Sequence, residues 1–368
     1  MENRRGLRHS IPQDIQDTQE PNTANAENRN PKPMSQTNHE WVITEYSGIS
    51  GLRLREYTPS NPGPGEVRLK LEAFALNWGD MDLMQGRYSF NFSQLPARVG
   101  CEAVGIVDEI GEGVTNIDMG QRYCTLPYFY DMKGVSGDTV LIDSRYLTRA
   151  PEGMSAIEAG SIWMQFMTAY YPIAELAKAG PGVNILVTAA TSTAGSSALG
   201  IGKLRGANMI GTSRFEYNRD YLMQAGASHV YVGEGEGLPE AVMEFTGGAG
   251  LHAVFDSIGA GMISKYSKAL AKDAQIFTYG TLDEKLPELP MMDLYQANAT
   301  FKPYSLFNYI ESPEWREKGL KFVYGALEAG QIRPNVDRVF DMEEYAEAWK
   351  YLRAPRKSHG KIMVKVGD

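Results

Sequence analysis

Residues 183–214 read VNILVTAATSTAGSSALGIGKLRGANMIGTSR, and the reading of this stretch decides the fold. Residues 184–188 form an apolar run, too short for a helix and suited to a strand buried on both faces. From Ala189 to Ser197 the side chains are small or hydroxylated, so the chain turns in a space too tight for large residues. Leu199, Ile201 and Leu204 then continue as a helix, which Gly206 ends. A second short strand, 209–211, leads to Thr212, Ser213 and Arg214. The stretch is a βαβ unit with a compact turn between strand and helix.

Such a turn aims free backbone N–H groups and the positive end of a helix at one point, which suits a pyrophosphate. The G-x-G-x-x-G fingerprint is not intact: Ala190, Ser192 and Ala194 stand near positions that often carry glycine, and only Gly195 fits. Thr191, Ser192, Thr193 and Ala194 are the candidate contacts. Ordinary βα turns also use small residues, so the turn alone leaves a plain connection open. The end of the second strand adds a second observation. An acid there would accept a ribose hydroxyl, whereas Ser213 and Arg214 offer donors to a 2′-phosphate. NADPH is thereby favoured over NADH, the alternative for Arg214 being a solvated arginine beside a helix start.

At 368 residues the chain exceeds one average domain, and two domains are expected. Hydrophobic residues at 43% allow a substantial core, and a net charge of −9 argues against a general nucleic-acid or anionic-membrane binder. Two cysteines, Cys101 and Cys124, exclude a disulfide framework and a four-cysteine zinc lobe. No apolar run reaches bilayer-spanning length and no signal-peptide pattern is present, so a cytoplasmic α/β protein is expected.

Residues 1–38 are rich in Asn, Gln, Pro and charge, and are expected to be a disordered tail. The pattern then becomes β. Val67, Leu69, Leu71 and Ala73 alternate with Arg68, Lys70 and Glu72, and further strands are expected at 104–110 and 140–146, with a short helix at 80–86. Beyond Arg214 helix and strand alternate: helices at 219–225, 262–271 and 314–329, strands at 229–232, 253–256, 276–279 and 300–306. A right-handed parallel sheet covered by helices is the expected outcome. Strands at 336–340 and 361–366 return to the first domain.

The order of these parts resembles the medium-chain dehydrogenase/reductase superfamily, in its zinc-free quinone oxidoreductase (zeta-crystallin-like) branch. The resemblance runs from about Trp41 to Val366. It rests on Leu76-Asn77-Trp78-Gly79-Asp80, Gly100-Cys101-Glu102-Ala103-Val104-Gly105, Gly120-Gln121-Arg122, Thr168-Ala169-Tyr170, Gly226-Ala227-Ser228-His229-Val230, Phe255-Asp256-Ser257 and His359-Gly360-Lys361-Ile362. It implies a GroES-like β-rich catalytic domain (39–160 and 331–368) with an inserted Rossmann NADPH-binding domain (161–330). Zinc-dependent members have a cysteine near Asn77 to Asp80 and a histidine at Cys101. Cys101 and Glu102 supply at most half a metal site, and no metal is expected.

By the same resemblance Asn77 and Thr168 lie beside the nicotinamide, or are ordinary structural polar residues. Ile258, Tyr279, Gly280 and Thr281 follow the ends of the fourth and fifth Rossmann strands and offer backbone contacts. Lys361 either approaches the cofactor or caps a surface. Asn218 replaces a lysine that commonly helps hold the 2′-phosphate, which leaves that charge to Arg214. Tyr88, with Asn77, is the candidate catalytic side chain, or else a cleft-wall aromatic. The implied activity is NADPH-dependent reduction of a quinone or an α,β-unsaturated carbonyl. An enoyl-thioester reductase and a non-catalytic cofactor- or RNA-binding protein are the alternatives, and the acidic charge weighs against RNA. A homodimer is expected through the segment 299–307 at the outer sheet edge, with Phe301 and Phe307 flanking the pairing region and Pro303 either at a bulge or facing away from the ladder.

The Arg214 assignment is tested by Arg214→Ala. NADPH binding should weaken by roughly 1.5–3 kcal/mol, the scale of a charge-assisted hydrogen bond, while NADH binding hardly changes. Titration calorimetry that shows equal loss for both would refute the assignment.

Overall fold

Val67, Leu69, Leu71 and Ala73 point inward, none more than 2% exposed, and in the computed structural model they lie on the central strand of a β-rich body. The structure describes residues 37–285 and 288–367. The tail expected over 1–38 falls outside the described residues except at its end, where Asn38 already opens the first strand. In chain order the body contains β1 (Asn38–Ile43), β2 (Leu52–Tyr57), β3 (Glu66–Ala75), the helix α1 (Trp78–Met84), β4 (Ala97–Arg98), β5 (Ala103–Ile110), β6 (Arg122–Thr125), β7 (Thr139–Asp143) and β8 (Leu147–Arg149). β3 pairs antiparallel with both β5 and β7. On its outer face Arg68 meets Asp108 at 3.0 Å, and Glu72 meets Arg122 at 2.6 Å. Alternation therefore does the sorting: each of the larger apolar side chains buried on the inner face contributes about 1.5–3 kcal/mol, while the outer row is left to solvent and ion pairs. The expected strand at 140–146 ends instead at Asp143, whose carboxylate accepts the Arg145 N–H and turns the chain.

A short turn of helix α2 (Ala156–Ala159) and α3 (Trp163–Tyr170) lead into the second part of the chain, α3 continuing as a π-helical turn over Tyr171–Leu176. The elements that follow are β9 (Asn184–Val187), α4 (Thr193–Leu204), β10 (Asn208–Ser213), α5 (Arg219–Ala225), β11 (His229–Val232), α6 (Leu238–Phe245), β12 (Leu251–Asp256), α7 (Met262–Tyr266), β13 (Leu270–Thr278), α8 (Met291–Ala297), β14 (Thr300–Pro303), α9 (Phe307–Ile310) and α10 (Pro313–Glu328). The six strands form one parallel sheet in the order β11-β10-β9-β12-β13-β14. By chain position this is 3-2-1-4-5-6, the doubly wound dinucleotide-binding order, with its topological switch point between β9 and β12. All four residues of β9 are buried, as a strand covered on both faces requires. The chain then returns through β15 (Val336–Asp341), α11 (Tyr345–Arg353) and β16 (Lys361–Lys365), and β16 pairs with β3.

Two expectations need correction. The helix expected over 262–271 stops at Tyr266, and β13 begins at Leu270, earlier than the expected 276. Leu270 pairs with Leu251, and the ladder resumes at Gln275 opposite Ala253, after an irregularity where Asp273 adopts φ 60°. The bulge breaks the alternation that would have marked a strand. The strand expected over 300–306 ends at Pro303. Thr300–Pro303 does lie at the sheet edge, but Phe301 is half-buried against the core and Phe307 turns away to face Phe129. On α8, which packs on β13, Met292 and Tyr295 are exposed apolar side chains.

Candidate active site

The turn from β9 to α4 is built around one buried carboxylate. Asp256, at the end of β12, accepts from the Thr188 hydroxyl at 2.7 Å, the Ile258 N–H at 2.9 Å and the Gly259 N–H at 3.2 Å, and from the Tyr266 hydroxyl at 3.0 Å. These bonds tie the carboxyl ends of β9 and β12 together at the switch point. Beyond Thr188 the chain bends through Ala189 at φ 42°, a left-handed conformation that costs a non-glycine residue on the order of 1–3 kcal/mol. Ser192 caps α4, its hydroxyl oxygen accepting the Gly195 N–H at 3.1 Å. Gly195 is required here, because a Cβ would fall 2.9 Å from the Ala190 Cα and 3.0 Å from the Ala189 carbonyl oxygen. Among the described residues the N–H groups of Thr191, Thr193 and Ala194 have no intramolecular acceptor. This is the cradle a pyrophosphate needs.

Around the turn, the other nominated residues divide. The Ile258 and Tyr279 N–H groups are taken by Asp256, whereas those of Gly280 and Thr281 have no partner among the described residues. The Tyr279 ring stacks on Phe255 at 3.9 Å, and its buried hydroxyl faces the hydroxyls of Ser257 and Ser192. Ser213 is spent locally: its hydroxyl donates to the Phe215 carbonyl and accepts from the Phe215 N–H and Asn218 Nδ2. Asn218 is buried, its Nδ2 donating to Ser213 and its Oδ1 without a partner among the described residues. Arg214 is exposed, 5.5 Å from the Phe215 ring centroid and without a carboxylate partner among the described residues. Phe215 stacks on Tyr217, and Lys357 reaches over Tyr217 at 5.5 Å from the loop before β16. Lys357 was invisible to sequence reasoning, since only the tertiary fold brings it to this end of the sheet.

A second cluster sits where the β-rich body meets α3. Glu102, fully buried, accepts the Met164 N–H at 2.8 Å near the start of α3 and pairs with the Lys361 ammonium at 2.6 Å. Asn77 Nδ2 donates to the same carboxylate at 3.3 Å, and Lys361 donates to Asn77 Oδ1. Asn77 itself is only half-buried. Lys361 is thus a buried partner of Glu102, 2% exposed, and not a surface cap. Thr168, on α3, turns its hydroxyl back to the Met164 carbonyl. Cys101 and Glu102 do not make a metal site: burial keeps the Cys101 thiol well above its ordinary pKa, and the Glu102 carboxylate is occupied by Lys361, Asn77 and Met164. Among the described residues no three His, Cys, Asp or Glu side chains gather as metal ligands.

Tyr88 packs against Gly79, and burial, with Cys101 and Asp80 nearby, pushes its phenol above the ordinary tyrosine range. It is a neutral donor at any working pH. Its hydroxyl lies over Gly79, 3.5 Å from where a Cβ at that position would stand. Next to it runs an aromatic wall that sequence reasoning missed. Phe90 lies edge-on to Tyr88 at 5.5 Å, Phe129 lies 3.9 Å from Phe90, and Phe307 meets Phe129 at 6.4 Å from the other side. Phe129 is half exposed. Under the wall, Asp80 accepts from the Tyr130 hydroxyl and the Asn77 N–H, and burial pushes its pKa up to about 6.

A doubly wound sheet with an open N–H cradle, joined to a β-rich body that holds polar and aromatic side chains, defines a nucleotide-binding protein of the GroES-plus-Rossmann class. Comparison with known proteins agrees. Residues 63–152 match the alcohol dehydrogenase GroES-like domain, and residues 194–324 match the family described as zinc-binding dehydrogenase. A 2-haloacrylate reductase from Burkholderia is 28% identical over 88% of this chain and 97% of its own length. A quinone oxidoreductase from Pseudomonas aeruginosa is 26% identical over 87% and 97%. The crystal structure of Escherichia coli quinone oxidoreductase complexed with NADPH superposes with a TM-score of 0.80 at 23% identity, covering 89% of this chain and 99% of that one. The chain belongs to the medium-chain dehydrogenase/reductase superfamily, in its quinone oxidoreductase branch.

The raised Asp80 pKa has a signed consequence. Between about pH 4, where an unfolded aspartate loses its proton, and about pH 6, the folded protein keeps one, so stability falls as pH rises. Asp80→Asn should remove about 3 kcal/mol of that fall. Melting temperatures of the wild type and the variant, compared between pH 4.5 and 7, should diverge as pH rises, with the variant higher at pH 7. Parallel curves would show that Asp80 ionises normally.

Proposed function

We propose that the protein is an NADPH-dependent, zinc-independent reductase that delivers a hydride to a quinone or to the conjugated carbon of an α,β-unsaturated carbonyl. The observation that carries this reading is the pairing of the open N–H cradle at the switch point with the Asn77 amide and the aromatic wall. The cradle of Thr191, Thr193 and Ala194 fits a pyrophosphate. Arg214 and Lys357, on either side of the Phe215–Tyr217 stack, fit a 2′-phosphate, and Lys357 makes up for the lysine that Asn218 replaces. NADPH, when bound, supplies the hydride.

The chain's own residues do the rest. Asn77 and Thr168 face the carboxamide end. Phe90, Phe129 and Phe307 take a flat apolar acceptor and keep water from the hydride path. The Tyr88 hydroxyl, neutral throughout, bonds the acceptor's carbonyl oxygen, which gains electron density as hydride arrives at the conjugated carbon. A solvent proton completes the reduction. The 28%-identical relative is named for an unsaturated acid, which supports a conjugated acceptor. The same reading includes a homodimer paired along the edge strand β14, and Met292 and Tyr295 of the preceding α8, 77% and 68% exposed, are its candidate apolar contacts.

Two measurements test this. NADPH oxidation followed in absorbance should proceed with benzoquinone or a conjugated alkenal, fail with the saturated aldehyde, and survive treatment with a chelator. Oxidation only of the saturated aldehyde's alcohol, or activity that chelation abolishes and zinc restores, would overturn the reading. Light scattering should give twice 40.7 kDa, and a mass near 40.7 kDa would defeat the dimer.

A further inference from the structure

Asn77 is the solvent-facing tip of a buried charge network. Lysine can only donate, so the Asn77 atom that meets Lys361 is the carbonyl oxygen. A carboxylate can only accept, so the atom that meets Glu102 is the amide nitrogen. The pair that sets this orientation is itself immobile: Lys361 is 2% exposed and Glu102 fully buried, and they are 2.6 Å apart. The Asn77 backbone is held as well, as the residue before α1, its N–H donating to Asp80 at 3.2 Å. Because Lys361 and Glu102 touch each other, they fill the amide edge between Oδ1 and Nδ2. What remains is one N–H and one lone pair of a half-buried amide, on opposite flanks and in a fixed order. A freely rotating asparagine would offer both orders and pay the entropy of choosing one on binding. The other Glu102 oxygen accepts the Met164 N–H, so the same carboxylate also seats the helix that carries Thr168.

We propose that Lys361 and Glu102 are positioning residues, which lock the Asn77 amide in one orientation so that its remaining N–H is offered to the carbonyl oxygen of a primary carboxamide. Neither touches the ligand. The inference rests on the cofactor reading above, in which that carboxamide belongs to the nicotinamide. It also accounts for the buried charges, which cost desolvation and gain the fold little net stability.

The test separates the two ends of the ligand. Purified full-length protein is titrated with NADPH and with 2′,5′-ADP, which carries the phosphate end and no carboxamide. Removing Lys361 alone would leave Glu102 uncompensated, so the main variant is the double exchange Lys361→Met with Glu102→Gln, in which glutamine still accepts from Met164. NADPH affinity should fall about tenfold while that for 2′,5′-ADP stays within about twofold. Asn77→Ala should cost less NADPH affinity in the double exchange than in the wild type, because all three act through one amide. Equal losses for both ligands, or an Asn77 effect that multiplies with the others, would overturn the lock and leave a merely structural ion pair. Failure of the wild type to bind either ligand would instead overturn the cofactor reading.

Discussion

The structure depends on the Glu102–Lys361 ion pair. Its two residues are far apart in the chain: Glu102 precedes β5, and Lys361 opens β16. Their contact closes the return of the chain onto the β-rich body, and Glu102 then reaches Asn77 and the start of α3. Two charges removed from water at this depth are expensive, and a pair of well-packed apolar residues would stabilise the fold as well or better. What the pair provides is geometry. One carboxylate sets the orientation of an amide and the seat of a helix, and both lie at the edge of the region where the two halves of the molecule meet.

The other end of the cleft is organised by a different buried acid. Among the described residues Asp256 has no counter-ion and is satisfied by hydroxyl and N–H donors from four residues. Those bonds hold the ends of β9 and β12 together and leave the first N–H groups of α4 pointing outward. The strained φ of Ala189 and the close approach at Gly195 belong to the same arrangement. The molecule therefore keeps its exposed cations, Arg214 and Lys357, apart from its buried one, Lys361. The exposed pair suits a mobile phosphate in water, and the buried one suits a fixed hydrogen-bond frame.

Much of this was legible in the sequence, for local reasons. The β9–α4–β10 unit shows itself by a short apolar run and small or hydroxylated residues at the turn, all determined within a few residues. The alternation along β3 marks its two faces in the same way. What escaped depends on contacts between distant segments. Glu102 was noticed only as half of a metal site, because nothing near it in sequence reveals that Lys361 supplies the positive charge. Lys357 and the Phe90–Phe129–Phe307 wall come together only in three dimensions. Phe307 was assigned to the wrong surface because the chain leaves the edge strand at Pro303 and turns back towards the cleft. The bulge at Asp273 hid the first half of β13 behind a pattern that passes for helix.

The central claim is that a hydride passes directly from NADPH to a conjugated acceptor held against the aromatic wall. The most direct measurement is isotope transfer. The protein is incubated with NADPH deuterated at one face of the nicotinamide C4 and with a conjugated enone, and the reduced product is analysed by NMR. The account predicts deuterium at the conjugated carbon alone, from one face of the nicotinamide only, with the neighbouring carbon taking hydrogen from water. Deuterium at the carbonyl carbon, or a product labelled only from solvent, would contradict it.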